Sequence, residues 1–240
     1  MNRITKHIPN FVTSMNLLCG IIGVAFTFKG RIDISFPLML AGAVFDFFDG
    51  LTARALHAYS DMGKELDSLA DDITFGVLPA VMLYNLMRTC TYSDCIWCYV
   101  PLLIAVFSGL RLAKFNVDER QHENFIGMAT PAGAMICGSL SYFIANEPDS
   151  FLGAWASGYV FIPVLSLILC ALLVCEIPMF SMKLGKNHEP VLKKKRVCFL
   201  VNIVLIIVIV LALGLNWSLT ILLTFVVYVL SNIIYRLFSV

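Results

Sequence analysis

The sequence predicts an all-α fold: a polytopic transmembrane helical bundle of about eight spans, with both termini cytoplasmic. Composition is the first observation, since 59% of the 240 residues are hydrophobic, only 14% are charged and the mean hydropathy is +0.85. A soluble domain is about one-quarter charged. Long apolar runs are the second observation, because a bilayer core requires roughly 20 such residues. The third is an unequal distribution of Lys and Arg between alternate loops.

Eight apolar segments are candidate spans. In order they are Phe11–Phe28, Ile34–Leu56, Glu65–Met87, Ile96–Lys114, Thr130–Ala145, Trp155–Cys175, Val197–Leu215 and Ser218–Phe238. The fifth segment is short and contains two glycines, and the second and third contain acidic residues that lower their hydropathy. Hydropathy alone therefore underrates the segments that hold the most informative residues.

The basic residues predict the orientation of the bundle. If the N-terminus is inside, fourteen of the 17 Lys and Arg residues face inward, and only Lys29, Arg31 and Arg88 face outward. Cytoplasmic loops are enriched in Lys and Arg, so both termini are expected in the cytoplasm. The first apolar run is long and no small-residue cleavage pattern follows it, so it does not resemble a cleavable signal peptide.

The spans divide the chain into three parts. Residues 1–176 form a core of six spans, residues 177–196 form a basic cytoplasmic loop, and residues 197–240 form two accessory transmembrane helices. The run Lys193–Arg196 in the loop is either a topology determinant or a region attracted to anionic lipid head groups, and both can hold together. Membrane lipids are thus expected partners, and nucleic acid is not.

Three of the eight cysteines lie close together in an outer loop, at Cys90, Cys95 and Cys98. An oxidising compartment would allow one disulfide there. A structural zinc site needs four ligands, and no nearby His supplies the fourth. We therefore expect unpaired thiols or a simple disulfide rather than a metal site.

Five carboxylates lie within the second and third apolar segments, and they are the strongest functional signal. They are Asp46, Asp49, Asp67, Asp71 and Asp72. Charge at membrane depth costs at least a few kcal/mol, so it is rare and usually functional. Residues of an α-helix are about 100° apart around its axis, which defines which of these side chains share a face.

Two helical faces would bring four of the acids together. One face comprises Asp46, Asp49, Gly50 and Ala53, with Arg54 at its edge. The next segment aligns Gly63, Asp67, Asp71 and Thr74. Asp72 points away from this second face, and the sequence assigns it no role. The two segments are joined by a short inner loop, so the four carboxylates are expected to meet near the cytoplasmic surface.

Four facing carboxylates would repel one another strongly unless a cation neutralised them. Oxygen ligands favour Mg²⁺, Mn²⁺ or Ca²⁺. Four acids suffice for a two-metal site of the kind that clamps phosphoryl groups during in-line displacement. Gly50 and Ala53 leave room for a ligand against the backbone, and Arg54 can bind a phosphate with two parallel hydrogen bonds.

The spacing Asp46-x2-Asp49-Gly50-x2-Ala53-Arg54-x8-Gly63-x3-Asp67-x3-Asp71 is similar to the complete signature of the CDP-alcohol phosphatidyltransferases. Members of that family transfer a phosphatidyl group from a CDP-linked lipid to an alcohol and release CMP. Four further stretches resemble the integral-membrane bacterial phosphatidylserine synthases. They are Ile8–Gly20, Leu66–Ala80, Gly109–Val117 and Phe125–Ala134. The resemblance covers roughly residues 8 to 175 and implies CDP-diacylglycerol and L-serine as substrates.

The resemblance also implies roles for single residues. Asp46, Asp49, Asp67 and Asp71 bind metal, with two Mg²⁺ or Mn²⁺ ions per protomer, and Asp71 is also the general base. The residues implied to bind CDP-diacylglycerol are Asn10, Thr13, Asn16, Gly50, Ala53, Arg54 and Ser60. Capping of the first helix is the alternative role for Asn10 and Thr13. Family members are homodimers in which each protomer holds its own site.

The serine site is predicted around the inner end of the fourth span. Arg111 is the candidate for the serine carboxylate, because guanidinium binds carboxylate in a two-pronged fashion. Its alternative roles are a topology charge or a contact with lipid phosphate. Asn116 would add a hydrogen bond, and Thr74 with the backbone near Gly76 would face the ammonium or hydroxyl group.

Two other functions are compatible with part of the sequence evidence, namely the acidic residues in the apolar segments and the family signature. The same family includes enzymes whose acceptor is glycerol 3-phosphate, inositol or inositol phosphate. A divalent-cation transporter also places carboxylates in the membrane, but here the acids lie at one face and no chain of acids crosses the bilayer. Direct displacement and a covalent phosphatidyl-enzyme are both compatible with the sequence. The expected location is the cytoplasmic membrane, with the active site near its cytoplasmic face.

Overall fold

The computed structural model describes residues 7–92, 95–117, 125–179 and 190–238, and it confirms the all-helical fold class. The helices are α1 (Ile8–Phe28), α2 (Ile32–Ala55), α3 (Asp61–Asp71), α4 (Leu78–Thr91), α5 (Leu103–Val117), α6 (Thr130–Asn146), α7 (Phe151–Ala156), α8 (Phe161–Val174), α9 (Pro190–Ala212) and α10 (Trp217–Phe238). A π-helical segment, Asp72–Val77, joins α3 to α4, and a 3₁₀ segment, Ile96–Leu102, precedes α5. Two short strands, β1 (Phe125–Ile126) and β2 (Pro178–Met179), pair antiparallel.

Five helices within the described residues are long and apolar enough to cross a membrane. They are Ile8–Phe28, Ile32–Ala55, Asp61–Thr91, Ile96–Val117 and Trp217–Tyr235. Shorter apolar helices cover Phe161–Val174 and Phe199–Ala212. These helices are those of a multi-pass membrane protein, whereas the total of eight spans and the sidedness of the termini stay predictions.

Helix α6 lies at the centre of the bundle, which explains its weak signal in the sequence. Every residue from Ala132 to Ser141 is buried, and the helix has only 17 residues. Gly138 brings α6 against the side chains of Phe36 and Met39 on α2. A helix enclosed by protein needs neither the length nor the apolar surface of one that faces lipid.

The predicted sixth span, Trp155–Cys175, is wrong as a continuous helix. Helix α7 ends at Ala156, residues 157–160 form a turn, and α8 begins at Phe161. Gly158 lies in the turn, and Pro163 is the third residue of α8, within the first turn, where the missing N–H of proline costs no hydrogen bond. The apolar run therefore spans two helices, α7 and α8, and the turn between them.

The C-terminal helices pack onto the core through the start of α10. The ring of Trp217 lies 5.6 Å from that of Phe36 on α2 and 5.1 Å from that of Tyr142 on α6. The basic run Lys193–Arg196 falls within the backbone of α9, so part of the predicted loop is helical. Most of the rest of that loop, residues 180–189, lies outside the described residues.

The clustered cysteines Cys90, Cys95 and Cys98 lie in or near the 3₁₀ segment before α5. The sulfur atoms of Cys95 and Cys98 lie 3.6 Å apart, and within the described residues neither they nor Cys90 form a disulfide. Among the described residues, the acids on α2 and α3 are the only grouping of three or more candidate metal ligands.

Candidate active site

Three of the predicted carboxylates converge where α2 approaches α3. Asp46, Asp49 and Asp67 each offer an oxygen, and these three atoms all lie within 4.8 Å of one another. Asp49 is buried, and the other two are partly buried. The two helices are joined by the short connection of residues 56–60, which keeps their acidic faces opposed. The helical phase predicted from the sequence thus brings these side chains together.

Asp71 completes the set from the end of α3. Its carboxylate adjoins that of Asp46 and interacts electrostatically with the other two acids. The amide of Asn16 on α1 donates a hydrogen bond of 3.4 Å to Oδ1 of Asp71. Arg111 on α5 also interacts with Asp71 and provides a positive charge on that side of the site.

The donor set fits a divalent cation. Oδ1 of Asp67 is buried and has no hydrogen-bond partner in the part of the chain that the structure describes, although a buried carboxylate oxygen normally has one. Among the described residues, no Lys or Arg side chain forms an ion pair with Asp46, Asp49 or Asp67. Carboxylate oxygens are the ligands that Mg²⁺ and Mn²⁺ prefer, so a cation here would satisfy both the charge and the unpaired oxygen.

Two side chains of α1 hold acids of the site in position. The sequence did not predict these contacts. The Thr13 hydroxyl donates a hydrogen bond of 2.7 Å to Oδ2 of Asp49, and Asn16 bonds to Asp71. The N-cap of α1 is His7, and no side chain of residues 7 onward that the structure describes caps that helix, so the capping alternative for Asn10 and Thr13 does not hold. The sequence did contain an indication of these contacts, because Thr13 and Asn16 are three residues apart and so share one face of a helix.

A cavity of about 280 Å³ opens beside the carboxylates. Most of the residues predicted to bind CDP-diacylglycerol line it: Asn10, Thr13, Gly50, Ala53, Arg54 and Ser60. Asn16 is absent from the lining. Tyr59 and Lys64 are present although neither was predicted. Lys64 could have been suspected, because a basic residue next to the signature glycine Gly63 suits a phosphate-binding cavity.

Two glycines shape this cavity in different ways. A Cβ atom on Gly50 would have Arg54 Nη2 as its nearest neighbour, at 3.8 Å, so the space above Gly50 is open. A Cβ atom on Gly63 would lie 2.9 Å from Oδ1 of Asn10 and 3.0 Å from Oγ of Ser60. Gly63 therefore permits α1 to approach the start of α3, where Ser60 caps the helix by accepting a bond from the Gly63 N–H.

The residues predicted to bind serine lie in three different places. Thr74 is buried between α1 and α2, where its hydroxyl donates to the carbonyl of Asn16 at 3.1 Å. Asn116 donates to Oγ of Ser68 at 2.8 Å and thereby ties the end of α5 to α3. Gly76 lies against α5, on the other side of the π-helical segment from Thr74.

Arg111 is the predicted serine residue that adjoins the acids. It is buried, with 8% of its surface exposed, and its Nη1 donates to Oγ1 of Thr130 at 3.2 Å. Its guanidinium lies 5.6 Å from the ring centroid of Phe115 and interacts with Asp71. A buried guanidinium fixed at one corner can present its remaining N–H groups to a carboxylate beside the acidic cluster.

Residues 6–175 match the family model described as CDP-alcohol phosphatidyltransferase. The chain belongs to that family. The CDP-alcohol phosphatidyltransferase match includes all four converging carboxylates and ends just before β2, so α9 and α10 lie outside it.

Curated relatives of this CDP-alcohol phosphatidyltransferase bear closely related names. A protein of Bacillus subtilis named CDP-diacylglycerol–serine O-phosphatidyltransferase is 37% identical over 57% of this chain and 76% of its own length. A Mycobacterium tuberculosis protein of the same name is 36% identical over 73% of this chain, and the match spans 61% of that relative. An archaetidylserine synthase of Methanothermobacter thermautotrophicus is 31% identical over 62% of this chain and 66% of its own length.

Proposed function

We propose that the protein transfers the phosphatidyl group of CDP-diacylglycerol to L-serine, giving phosphatidylserine and CMP. The convergence of three signature carboxylates within 4.8 Å, beside a cavity lined by the predicted nucleotide-binding residues, is the observation that carries this proposal. The names of the relatives from Bacillus and Mycobacterium support serine as the acceptor. The proposed location is the cytoplasmic membrane, with the cavity at its cytoplasmic face.

The CDP-diacylglycerol diphosphate is proposed to lie in the cavity against Gly50, where no side chain occupies the space. Arg54 and Lys64 line the same cavity and can donate hydrogen bonds to phosphate oxygens. Asp46, Asp49, Asp67 and Asp71 would hold two Mg²⁺ or Mn²⁺ ions. Such ions would neutralise the diphosphate and stabilise the charge that develops on CMP.

The serine hydroxyl then attacks the phosphorus atom that carries the diacylglycerol. A new bond forms between the serine oxygen and phosphorus, and the bond from phosphorus to the CMP oxygen breaks in line with it. Asp71 accepts the hydroxyl proton, and Arg111 holds the serine carboxylate. The buried position of Arg111 beside Asp71 supports this assignment, because it aligns carboxylate and hydroxyl binding on one side of the cluster.

CMP release with different acceptors tests the proposal. The purified full chain, supplied with CDP-diacylglycerol and Mg²⁺ or Mn²⁺ in detergent–lipid micelles, is expected to release CMP with L-serine. Glycerol 3-phosphate, inositol and inositol phosphate are expected to give only background rates. Release with one of these and not with serine would refute serine as the acceptor while retaining the family reaction. No release with any acceptor would refute the transferase activity itself.

We also propose that the protein is a homodimer with one complete site in each protomer. All four acids and the cavity come from a single chain, which supports independent sites. The mass of the protein in nanodiscs, corrected for bound lipid, is expected to equal two chains. A fully active species with the mass of one chain would contradict the dimer.

A further inference from the structure

Helix α10 packs along the central helix α6, although it lies outside the family match. Trp217, the first residue of α10, contacts Tyr142 near the end of α6. The same helix also contacts β2, which pairs with β1 shortly before α6 begins. Helix α10 therefore starts beside the end of α6 and runs antiparallel to it, toward the first residues of α6.

This direction brings Tyr228 of α10 to the level of Thr130, the first residue of α6. Tyr228 follows Trp217 by eleven residues, which is about 16 Å along an α-helix. Thr130 precedes Tyr142 by twelve residues, or about 18 Å. The two distances agree to within one helical turn. The Tyr228 side chain is half-buried against the core around α6, and its ring lies 5.6 Å from that of Phe199 on α9.

Thr130 and Tyr228 both interact with Arg111 of α5. The Thr130 hydroxyl accepts a hydrogen bond of 3.2 Å from Nη1 of Arg111. The phenol of Tyr228 interacts electrostatically with the same guanidinium. A phenol oxygen has lone pairs that attract N–H donors, so this neighbour favours the charged arginine where it is buried. Helix α10 thus contributes a polar group to the surroundings of Arg111.

These two neighbours explain how Arg111 remains available to an anion. Arg111 and Asp71 interact, but within the described residues they do not form an ion pair. Opposite charges attract strongly in the low-dielectric interior, so a flexible arginine side chain would close onto the carboxylate unless other groups held it. Thr130 and Tyr228 are such groups. They keep N–H donors of the guanidinium free for an incoming carboxylate.

We infer that Tyr228 is a positioning residue for Arg111, and that helix α10 thereby completes the acceptor site although the family match ends at residue 175. The inference rests on the proposed function, in which Arg111 holds the serine carboxylate, and deepens it by giving a C-terminal helix a part in acceptor binding. Tyr228 acts through the guanidinium and touches neither serine nor the metal ions.

Steady-state kinetics of the purified full chain test the assignment. Tyr228→Phe removes only the phenol oxygen and keeps the ring against Phe199, so the melting temperature is expected to hold. The KM for serine is expected to rise by about 3- to 10-fold, the size of one net hydrogen bond. The KM for CDP-diacylglycerol and the kcat at saturating serine are expected to change little.

Tyr142→Phe is the matched control. It removes the same oxygen from another half-buried ring, at the opposite end of α6 from Thr130, where that ring packs against Phe36 and Trp217. This variant is expected to leave both KM values unchanged.

A double-mutant cycle shows whether Tyr228 acts through Arg111. In an Arg111→Ala background there is no guanidinium left to position, so the serine KM of the double variant is expected to match that of Arg111→Ala alone. Two independent contributions would instead multiply. That result would overturn the inference even if Tyr228→Phe by itself raised the serine KM.

The other outcomes separate this inference from the proposed function. If the wild type uses serine and Tyr228→Phe leaves the serine KM unchanged, the role of Tyr228 fails and the proposed function stands. A parallel rise in both KM values with a lower melting temperature would show that Tyr228 serves only the packing of α10, and would also overturn the inference. If the wild type uses another acceptor, serine is wrong. The same cycle with that acceptor then decides the role of Tyr228, which coupling to Arg111 would support and independent effects would refute.

Discussion

The hydroxyl of Thr13 on α1 donates a hydrogen bond of 2.7 Å to Oδ2 of Asp49 on α2. Both residues are buried, with 3% and 7% of their surface exposed, so water competes little for the bond. A hydroxyl bond to a carboxylate is among the stronger hydrogen bonds in proteins. Thr13 thereby orients Asp49, whose carboxylate lies beside those of Asp46 and Asp67, and this makes Thr13 a positioning residue for the proposed metal site.

Removal of this hydroxyl is expected to weaken metal binding. Thr13→Val keeps the shape of the side chain, and the concentration of Mg²⁺ or Mn²⁺ needed for half-maximal activity is expected to rise by about 10- to 100-fold, as for other groups that orient metal ligands. Ser14→Ala is the control, because the Ser14 hydroxyl donates to the carbonyl of Asn10 in its own helix. An unchanged metal requirement with a raised KM for CDP-diacylglycerol would show that Thr13 contacts the nucleotide instead.

The four facing acids are expected to be individually necessary. Asp→Asn substitution at 46, 49, 67 or 71 keeps the size of the side chain but removes its charge, so turnover is expected to fall by orders of magnitude. Activity should disappear in EDTA and return with Mg²⁺ or Mn²⁺. Asp33→Asn is the control, because Asp33 pairs with Arg31 in an exposed ion pair of 2.8 Å. Full turnover in the chelator would contradict the metal-dependent reaction.

Gly50→Ala is expected to weaken binding of CDP-diacylglycerol without lowering the stability of the protein. Apart from the backbone of its own helix, the nearest described atom to the added methyl group would be Nη2 of Arg54, at 3.8 Å. Alanine favours a helix over glycine by about 1 kcal/mol, so the melting temperature should hold or rise. The methyl group would enter the cavity, and the KM for CDP-diacylglycerol should therefore increase.

Gly138→Ala gives the opposite pattern. Its methyl group would collide with Phe36 and Met39 in the core, so the melting temperature should fall while the cavity stays unchanged. Thermal unfolding and the KM for CDP-diacylglycerol, measured on both variants, check the pair. An unchanged KM in Gly50→Ala would place the diphosphate elsewhere.

Arg111 is expected to anchor the serine carboxylate through its planar fork. Arg111→Lys retains the positive charge but loses the two-pronged geometry, so the KM for serine should rise far more than that for CDP-diacylglycerol. Arg111→Ala should raise the serine KM further. Arg31→Ala, which removes an exposed guanidinium, is the control and should leave both KM values unchanged. A parallel rise in both KM values for the Arg111 variants, or none in either, would show that Arg111 is not the serine anchor.

Local periodicity explains which parts of the site could be predicted. Asp46 and Asp49, three residues apart, and Asp67 and Asp71, four apart, point together on any α-helix, and a short connection opposes the two helices. That convergence follows from spacing and the short connection, whereas the cavity beside Gly50 also needs residues of α1, such as Asn10 and Thr13. The hydrogen bond from Thr13 to Asp49 was not predicted, because it forms only when α1 packs against α2.

The structure differs from the sequence prediction where the chain leaves regular α-helix or where three helices meet. The π-helical segment from Asp72 alters the rotation that puts Thr74 in line with Asp71, and the close approach allowed by Gly20 and Gly42 encloses Thr74 between α1 and α2. The break between α7 and α8 is similar, since a continuous apolar run does not show where the backbone turns.

The sequence by itself determined that this is a helical membrane protein, that four acids share two faces, and that these faces carry a family signature. Composition and periodicity are properties of neighbouring residues, and they need no knowledge of distant contacts. Only the tertiary structure decided that Thr13 orients Asp49, that Arg111 is buried beside Asp71, and that Asp72 faces Ser108 across Gly76. Those relationships depend on which helices pack together and how closely, because a side chain's direction is local but its partner comes from elsewhere in the chain.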